Sequence, residues 1–153
     1  MHPLSEKWVV WAHLPHDTDW SIDSYISIMT VTYVEEIQAL MHTLPDSLLS
    51  TCMFFCMKEN VKPVWEDPAN KPGGCFSYKI TQSIGDCWRN VSYSMVGKTL
   101  SKEKGIQDTI TGISISPKKN FCILKVWLSS CAHQDASKIT YLKPNGCIFK
   151  KHS

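Results

Sequence analysis

The sequence predicts an α+β fold on an antiparallel sheet, and three observations support it. Short runs rich in Val, Ile, Phe, Tyr and Met have strand character, stretches with helical spacing of apolar residues fall between them, and several connections are short enough for hairpins. No repeat, low-complexity tract or linker interrupts the pattern, so residues 1–153 read as a single domain. A chain of this length removes about two thirds of its unfolded surface from water, enough for a real core.

Lys7 to His13 reads as a strand and Tyr25 to Val31 as a second, because β-branched and aromatic residues dominate both. Tyr33 to His42 carries Val34, Ile37, Leu40 and Met41 on one helical stripe, and Pro45 follows as a breaker. The Met, Phe and Cys run from Cys52 to Lys58 reads as a buried strand, and Cys75 to Ile80 is expected to pair with it. A second helix is expected from Asp86, as its cap, to Lys98, with Trp88, Val91 and Met95 inward. Thr109 to Ser116 and Phe121 to Leu128 flank the turn at Pro117-Lys118-Lys119-Asn120 and form a hairpin. Cys131 to Leu142 is expected as a third helix and Cys147 to Lys151 as a last strand.

Charge excludes one class of function. The formal net charge is +2 and the pI about 8.1, which is not the strongly basic face of a generic nucleic-acid binder, so any RNA contact is expected to be local. The start, Met1 to Lys7, has no charged segment leading into an apolar core, and no run long enough to span a membrane appears, so a soluble, cytoplasmic monomer without membrane contact is expected. Seven cysteines, an odd number, suit free thiols in a reducing compartment. Cys52 and Cys56 share a face, but without a Cys-x-x-Cys pattern they read as small buried hydrophobes, and neither a metal nor a cofactor is expected. The histidines are scattered and no paired carboxylates cluster, so the chain is not expected to be an enzyme.

The most informative stretch runs from Lys62 to Gly74, where Trp65 and Glu66 lie in a segment bounded by Pro63, Pro68, Pro72, Gly73 and Gly74. Proline and glycine at both ends argue for a held loop rather than a helix or central strand. An indole offers a face for stacking a base. A neighbouring carboxylate offers two acceptors for the N–H donors on the Watson–Crick edge of guanine. An isolated Trp-Glu pair is more often a loop tryptophan beside a solvated glutamate.

The loop is one part of an ordered series: His2-Pro3-Leu4, Trp8-Val9-Val10-Trp11, Trp20, Val34-Glu35, Trp65-Glu66 with Gly73-Gly74, Cys87-Trp88 with Gly97, Gly112, Trp127 and Phe149-Lys150-Lys151-His152. Nearly end to end, this series resembles the eukaryotic translation initiation factor 4E family of mRNA cap-binding proteins. Around the loop and Cys87 to Gly97 it resembles the cap-binding 4E-homologous protein branch. The resemblance implies a curved antiparallel sheet backed by three helices, with a slot for the 7-methylguanosine cap on the concave face. It implies further that Trp20 and Trp65 clamp the methylated base, that Glu66 accepts its N–H donors, and that Trp127 lies against the methyl group. Trp20 in its Asp17-Thr18-Asp19 setting looks solvent-facing, whereas Trp127 can equally be core.

For the triphosphate, the resemblance brings Lys118 and Lys119 to the region of a phosphate-binding arginine. Lys125 lies two residues before Trp127 on the same strand face and can substitute for the basic residue that Ile123 replaces. Cys75 also stands where a basic residue is common. Lysines give point charges rather than forks, so weaker phosphate binding is expected. On the opposite surface the family docks partner helices carrying a Tyr-x-x-x-x-Leu motif. His2, Pro3, Val34 and Gly97 keep that pattern, but Gln38 replaces a tryptophan and Arg89, Asn90 and Tyr93 replace an apolar and acidic trio. Losing an aromatic anchor removes the kind of residue that dominates interface energy, so a diverged docking surface is expected for any scaffold or repressor helix. The stretch from Trp127 to His152 is shorter than in the family by roughly two helical turns, and a lower cap affinity is expected from it. Two readings stay open: a cap-binding protein in translation initiation or its regulation, and a protein-interaction relic of the same fold with a degraded cap site.

Overall fold

Seven strands form one antiparallel sheet in the computed structural model, which describes residues 1–153, and its central strands β3 and β5 are buried on both faces. In chain order the elements are β1 (Pro3–His13), β2 (Ile26–Tyr33), α1 (Val34–Thr43), α2 (Asp46–Leu49), β3 (Met53–Lys58), β4 (Gly74–Ile80), α3 (Ile84–Val96), α4 (Lys104–Gln107), β5 (Ile110–Pro117), β6 (Cys122–Leu128) and β7 (Ile148–Lys151). The spatial order is β2-β1-β3-β5-β6-β4-β7. The sheet is curved, and the fold class is the α+β class expected from the sequence.

The two faces of the sheet do different work. Trp8, Val10, Cys56, Ile113, Leu124 and Val126 point to one side and form the main core with Ile37 and Met41 of α1 and with Trp88, Val91 and Met95 of α3. Phe55, Met57, Val61 and Trp127 form a small second core on the other side, with Trp11, Tyr25, Met53 and Ala69 packed on it. Strand alternation produces both sets, since neighbours such as Phe55 and Cys56 face opposite ways. All seven cysteines are free, and burial pushes the Cys56 thiol up to about 12.

Three expectations are corrected. Strand β4 does not pair with β3; it pairs with β6 and β7, while the β5–β6 hairpin fills the space between. Only tight turns force sequential strands to be neighbours, and the loop 59–73 instead crosses two strands. It returns so closely over β6 that a Cβ on Gly73 would lie 1.8 Å from the Leu128 carbonyl oxygen. Cys131 to Leu142 is not a helix and contains only a 3-10 turn at Ala136–Lys138. Local side chains compete for its backbone: Asp135 accepts from the Ser137 N–H (3.0 Å) and hydroxyl (2.6 Å), and Ser130 accepts from the Ala132 N–H (3.0 Å). Ile139 is buried through a bridge to Ser101 rather than through a helical stripe. Helix α3 starts at Ile84 after Ser83, so Asp86 sits in its first turn and is not the cap.

The chain start is tied down by Glu35. Its carboxylate accepts the His2 backbone N–H on both oxygens, at 3.1 and 3.0 Å, and pairs with the His2 ring. The His2 backbone bond, then the ring, pull the carboxyl down to about 2 from 4.5. A depressed carboxyl stabilises the fold only while ionised, so its contribution is complete above pH 4.5 and is lost as pH falls toward 2. The Val34 amide, bonded to the His2 carbonyl at 2.9 Å, should lose exchange protection across that interval ahead of the main core. Glu35→Gln should loosen it already at neutral pH, and equal protection in both proteins would refute the linkage.

Candidate ligand cleft on the concave face

Five of the six tryptophans divide by burial, and the sixth, Trp11, is half-buried beside Phe55 and Trp127. Trp8 and Trp88 are fully buried in the main core and Trp127 is 7% exposed, whereas Trp20 is 54% and Trp65 44% exposed. Single exposed apolar residues are ordinary, but two indoles left in water on one face of a sheet mark a binding surface. A cleft of about 330 Å³ opens there, lined by Trp20, Met53, Phe55, Lys118, Lys125 and Trp127 among others. Larger hollows, of about 510 Å³ beside Tyr141 and about 420 Å³ between α2 and α3, contain no tryptophan.

Trp127 forms the floor. Its indole N–H donates to the Ser114 hydroxyl at 2.9 Å, which fixes the ring plane, and its ring meets Phe55 edge-on at 6.5 Å. The buried indole is therefore both core and cleft wall.

Trp20 is held by His13. The two rings stack with centroids 3.9 Å apart and planes 3° from parallel. His13 is itself buried, with Nε2 at 2.8 Å from the Asp19 carbonyl oxygen and Nδ1 at 3.2 Å from that of Leu14. Tyr25 abuts both rings edge-on. The loop 14–19 thus folds back on the imidazole, and the indole that follows has a flat support.

The loop 59–73 carries Trp65 and Glu66 and is stapled by two side chains. Asp67 accepts the N–H of Lys62 at 2.8 Å and of Ala69 at 2.9 Å. Asn70, fully buried, donates to the carbonyls of Val64 (2.9 Å) and Lys62 (3.3 Å) and accepts the Thr111 hydroxyl of β5 at 2.7 Å. Val61 and Ala69 pack with Phe55, Met57 and Trp127, so the loop stands over the concave face. Burial raises the Tyr25 phenol, and the Glu66 carboxylate raises it further.

Of the residues singled out from the sequence, Trp20, Trp127, Lys118 and Lys125 line one cleft. Trp65 and Glu66 are exposed on the loop 59–73 and do not line that cleft, and Lys119 sits exposed in the hairpin turn. His13, Tyr25, Ser114, Asp67 and Asn70 were not singled out for the site. Asp67 and Asn70 carried a signal, since Asx residues between prolines bond their own turn; His13 carried none beyond its parity with Trp11.

On the helical face, His2 is engaged by Glu35, and Val34 opens α1 with Gln38 exposed on it. Asn90, Tyr93 and Gly97 follow along α3 and its C-cap. Glu6 of β1 pairs with Lys58 and Lys98, which brings the end of α3 to the strand that begins at Pro3. Arg89 is different: it pairs with Asp46 and Asp86 at 3.1 Å each and donates to the Met41 carbonyl at 3.2 Å, so it ties α1, α2 and α3 together.

Comparison with known proteins fits this architecture. The eukaryotic initiation factor 4E family model matches residues 3–144. Eukaryotic translation initiation factor 4E of Candida glabrata is 26% identical over 146 residues, covering 90% of this chain and 68% of that protein. Initiation factor NCBP of Triticum aestivum is 31% identical over 142 residues, covering 89% and 60%. The structure of C. elegans eIF4E-3 with the 4E-binding protein Mextli and cap analog superposes with a TM-score of 0.82 at 19% identity, over 99% of this chain and 92% of that one. Ascaris suum eIF4E-3 with m7G cap gives 0.75 at 19%, over 86% and 75%. At such identity these structures establish likeness of fold.

Asn70→Ala should strand the buried Thr111 hydroxyl and two loop carbonyls, costing about 1–3 kcal/mol. The thermal midpoint should fall, and amides of Lys62 and Ala69 should exchange faster than those of the main core. Unchanged loop protection would remove Asn70 from its stapling role.

Proposed function

The chain belongs to the eukaryotic initiation factor 4E family, and on that premise we propose that it binds the 7-methylguanosine 5′ cap of mRNA and acts in translation initiation or its regulation. The observation that carries the proposal is the exposed Trp20 lining a cleft floored by Trp127 and bordered by Lys118 and Lys125, with a second exposed tryptophan, Trp65, on the loop that packs over the same face. Its relatives are named as initiation factors, and the role is that of a binding protein and not an enzyme. Residues 1–153 act as one cap-binding domain in the cytoplasm, where capped mRNA is translated.

Methylation at N7 gives the guanine ring a delocalised positive charge. Stacked between Trp20 and Trp65, the ring gains cation–π attraction that the unmethylated base lacks, worth about 2 kcal/mol when desolvated, or more than tenfold in affinity. Glu66 accepts the ring N–H and the exocyclic amine, a charge-assisted contact that adenine cannot match. Trp127 lies against the methyl group. Lys118 and Lys125 take the triphosphate at the cleft, and Lys119 adds charge from the turn. His13, stacked on Trp20, holds one wall ready before the base arrives.

On the helical face, His2, Pro3, Val34, Gln38, Asn90, Tyr93 and Gly97 offer a surface for a scaffold or repressor helix. A schistosome relative is known bound to m7GpppG and 4E-BP together, which supports two separate faces. Arg89 is occupied in joining the helices, so its contribution there is indirect. The relic alternative is disfavoured by the stacked support under Trp20 and the stapled loop under Trp65, which a disused slot has no need to keep.

Tryptophan-fluorescence titration tests the proposal: 7-methyl-GTP should quench strongly and GTP at least tenfold more weakly. Trp65→Ala and Glu66→Ala should abolish retention on a cap resin with the fold intact, and retained binding in both would sink the site assignment. His13→Ala should weaken binding about two- to tenfold, the range of an aromatic pair. His13→Phe, which keeps the flat support, should restore most of it; failure of that rescue would assign His13 a role other than stacking.

A further inference from the structure

The concave face continues past Trp127 onto β4 and β7, and strand register orders what lies there. Trp127 of β6 is opposite Cys75 of β4, and Cys75 is opposite Lys150 of β7. In the next row Lys125 is opposite Ser77. Directly paired residues share a face, as do residues two apart on a strand, so Trp127, Lys125, Cys75, Ser77 and Lys150 look out on the same side. His152, two residues beyond Lys150, packs its ring 5.1 Å from that of Trp127. The Cys75 thiol is raised by burial and pulled back by Lys125, then by the Ser77 hydroxyl and Lys150.

This corner is cationic and incomplete. Neither Lys125 nor Lys150 takes part in any ion pair of the structure. The His152 Nε2 is buried without a hydrogen-bond partner, while its backbone N–H is fixed to the Gly73 carbonyl at 3.0 Å. Burial, then Lys125, push its imidazole below the ordinary histidine value. Between the lysines the floor is small, formed by Cys75 and Ser77. Strands β6 and β7 are two spacings apart, about 10 Å, a span that two lysine side chains can close from either side. Lys125 also lines the tryptophan cleft, so the corner and the cleft are continuous.

We infer that Lys125 of β6 and Lys150 of β7, in adjacent rows on one face of the β6-β4-β7 sheet, form a second anion subsite, which takes a phosphate of the capped end of the RNA beyond the cleft holding the methylated base. The inference rests on the cap-binding reading. Two unpaired ammonium groups over a floor of small side chains suit a tetrahedral anion with several acceptor oxygens. The phosphate belongs to the triphosphate or to the first phosphodiester after it, and the two ligands of the test separate these sources. Lys150 then supplies from β7 a cation that the Cys75 position lacks.

The test is binding of 7-methyl-GTP and of a short capped oligoribonucleotide to the full chain at several salt concentrations. Lys150→Ala should weaken the capped oligonucleotide about three- to tenfold and flatten its salt dependence by about 0.7 in log–log slope, the value for one single-strand phosphate contact. Lys150→Arg should restore both. Lys151→Ala, which removes the same charge from the neighbouring residue on the opposite face, is the control and should change neither. Loss with the oligonucleotide alone assigns the phosphodiester, and loss with both ligands assigns the triphosphate; either supports the subsite. Equal effects of Lys150→Ala and Lys151→Ala, or none from Lys150→Ala, overturn it while unmodified protein still prefers 7-methyl-GTP. If the unmodified protein shows no such preference, the cap-binding reading itself fails.

Discussion

The cleft depends on one buried amide. Asn70 joins two carbonyls of the loop 59–73 to the Thr111 hydroxyl of β5, and so fixes over the sheet a segment that has no regular structure of its own. The same loop re-enters the sheet at Gly73, against the β6 carbonyl that follows Trp127. The loop is therefore tied to the sheet both at its buried amide and at its return beside the strand that carries the cleft floor. An Asn that donates both amide hydrogens and accepts a buried hydroxyl is costly to replace, because the Thr111 hydroxyl is left buried without its partner.

Strand order explains why this loop is long. With the β5–β6 hairpin inserted between β3 and β4, the connection must cross the concave face, and what it crosses is Trp127. The helices cover the other face with Trp8 and Trp88 in its core. One sheet thus uses its tryptophans in two ways. Those on the helical side stabilise the fold by burial, and Trp20 and Trp65 remain in water where a flat ligand can bury them. Keeping exposed indoles in place needs support from beneath. His13 gives it to Trp20 and the Asp67–Asn70 staple gives it to the loop of Trp65.

Much of this was legible from sequence alone, and the failures have physical causes. The β5–β6 hairpin was readable because Pro117 to Asn120 sit between two apolar runs, and local turn chemistry decides local pairing. Helix α1 was readable from its apolar stripe, and Glu36, accepting the Tyr33 N–H at 2.9 Å, closes its first turn. The β4 partners were not readable, since non-local strand pairing leaves no mark on either strand. The segment Cys131 to Leu142 misled because Ile139 and Leu142 have near-helical spacing while Ser and Asp nearby bond their own backbone. Among candidate site residues, the tryptophans and lysines were legible by type. His13 was not, because a histidine ending a strand shows its stacking partner only after the loop 14–19 has folded back. Arg89 read as a surface change, yet its guanidinium is consumed by three helices.

The division of the tryptophans can be read directly from the six indole N–H resonances in a ¹H–¹⁵N spectrum titrated with 7-methyl-GTP and, separately, with GTP. Trp20, Trp65 and Trp127 are predicted to shift with the methylated ligand, Trp8 and Trp88 to stay in place, and GTP at the same concentration to move all of them far less. Shifts centred on Trp8 or Trp88, or equal shifts from the two ligands, would contradict a methyl-selective slot on the concave face.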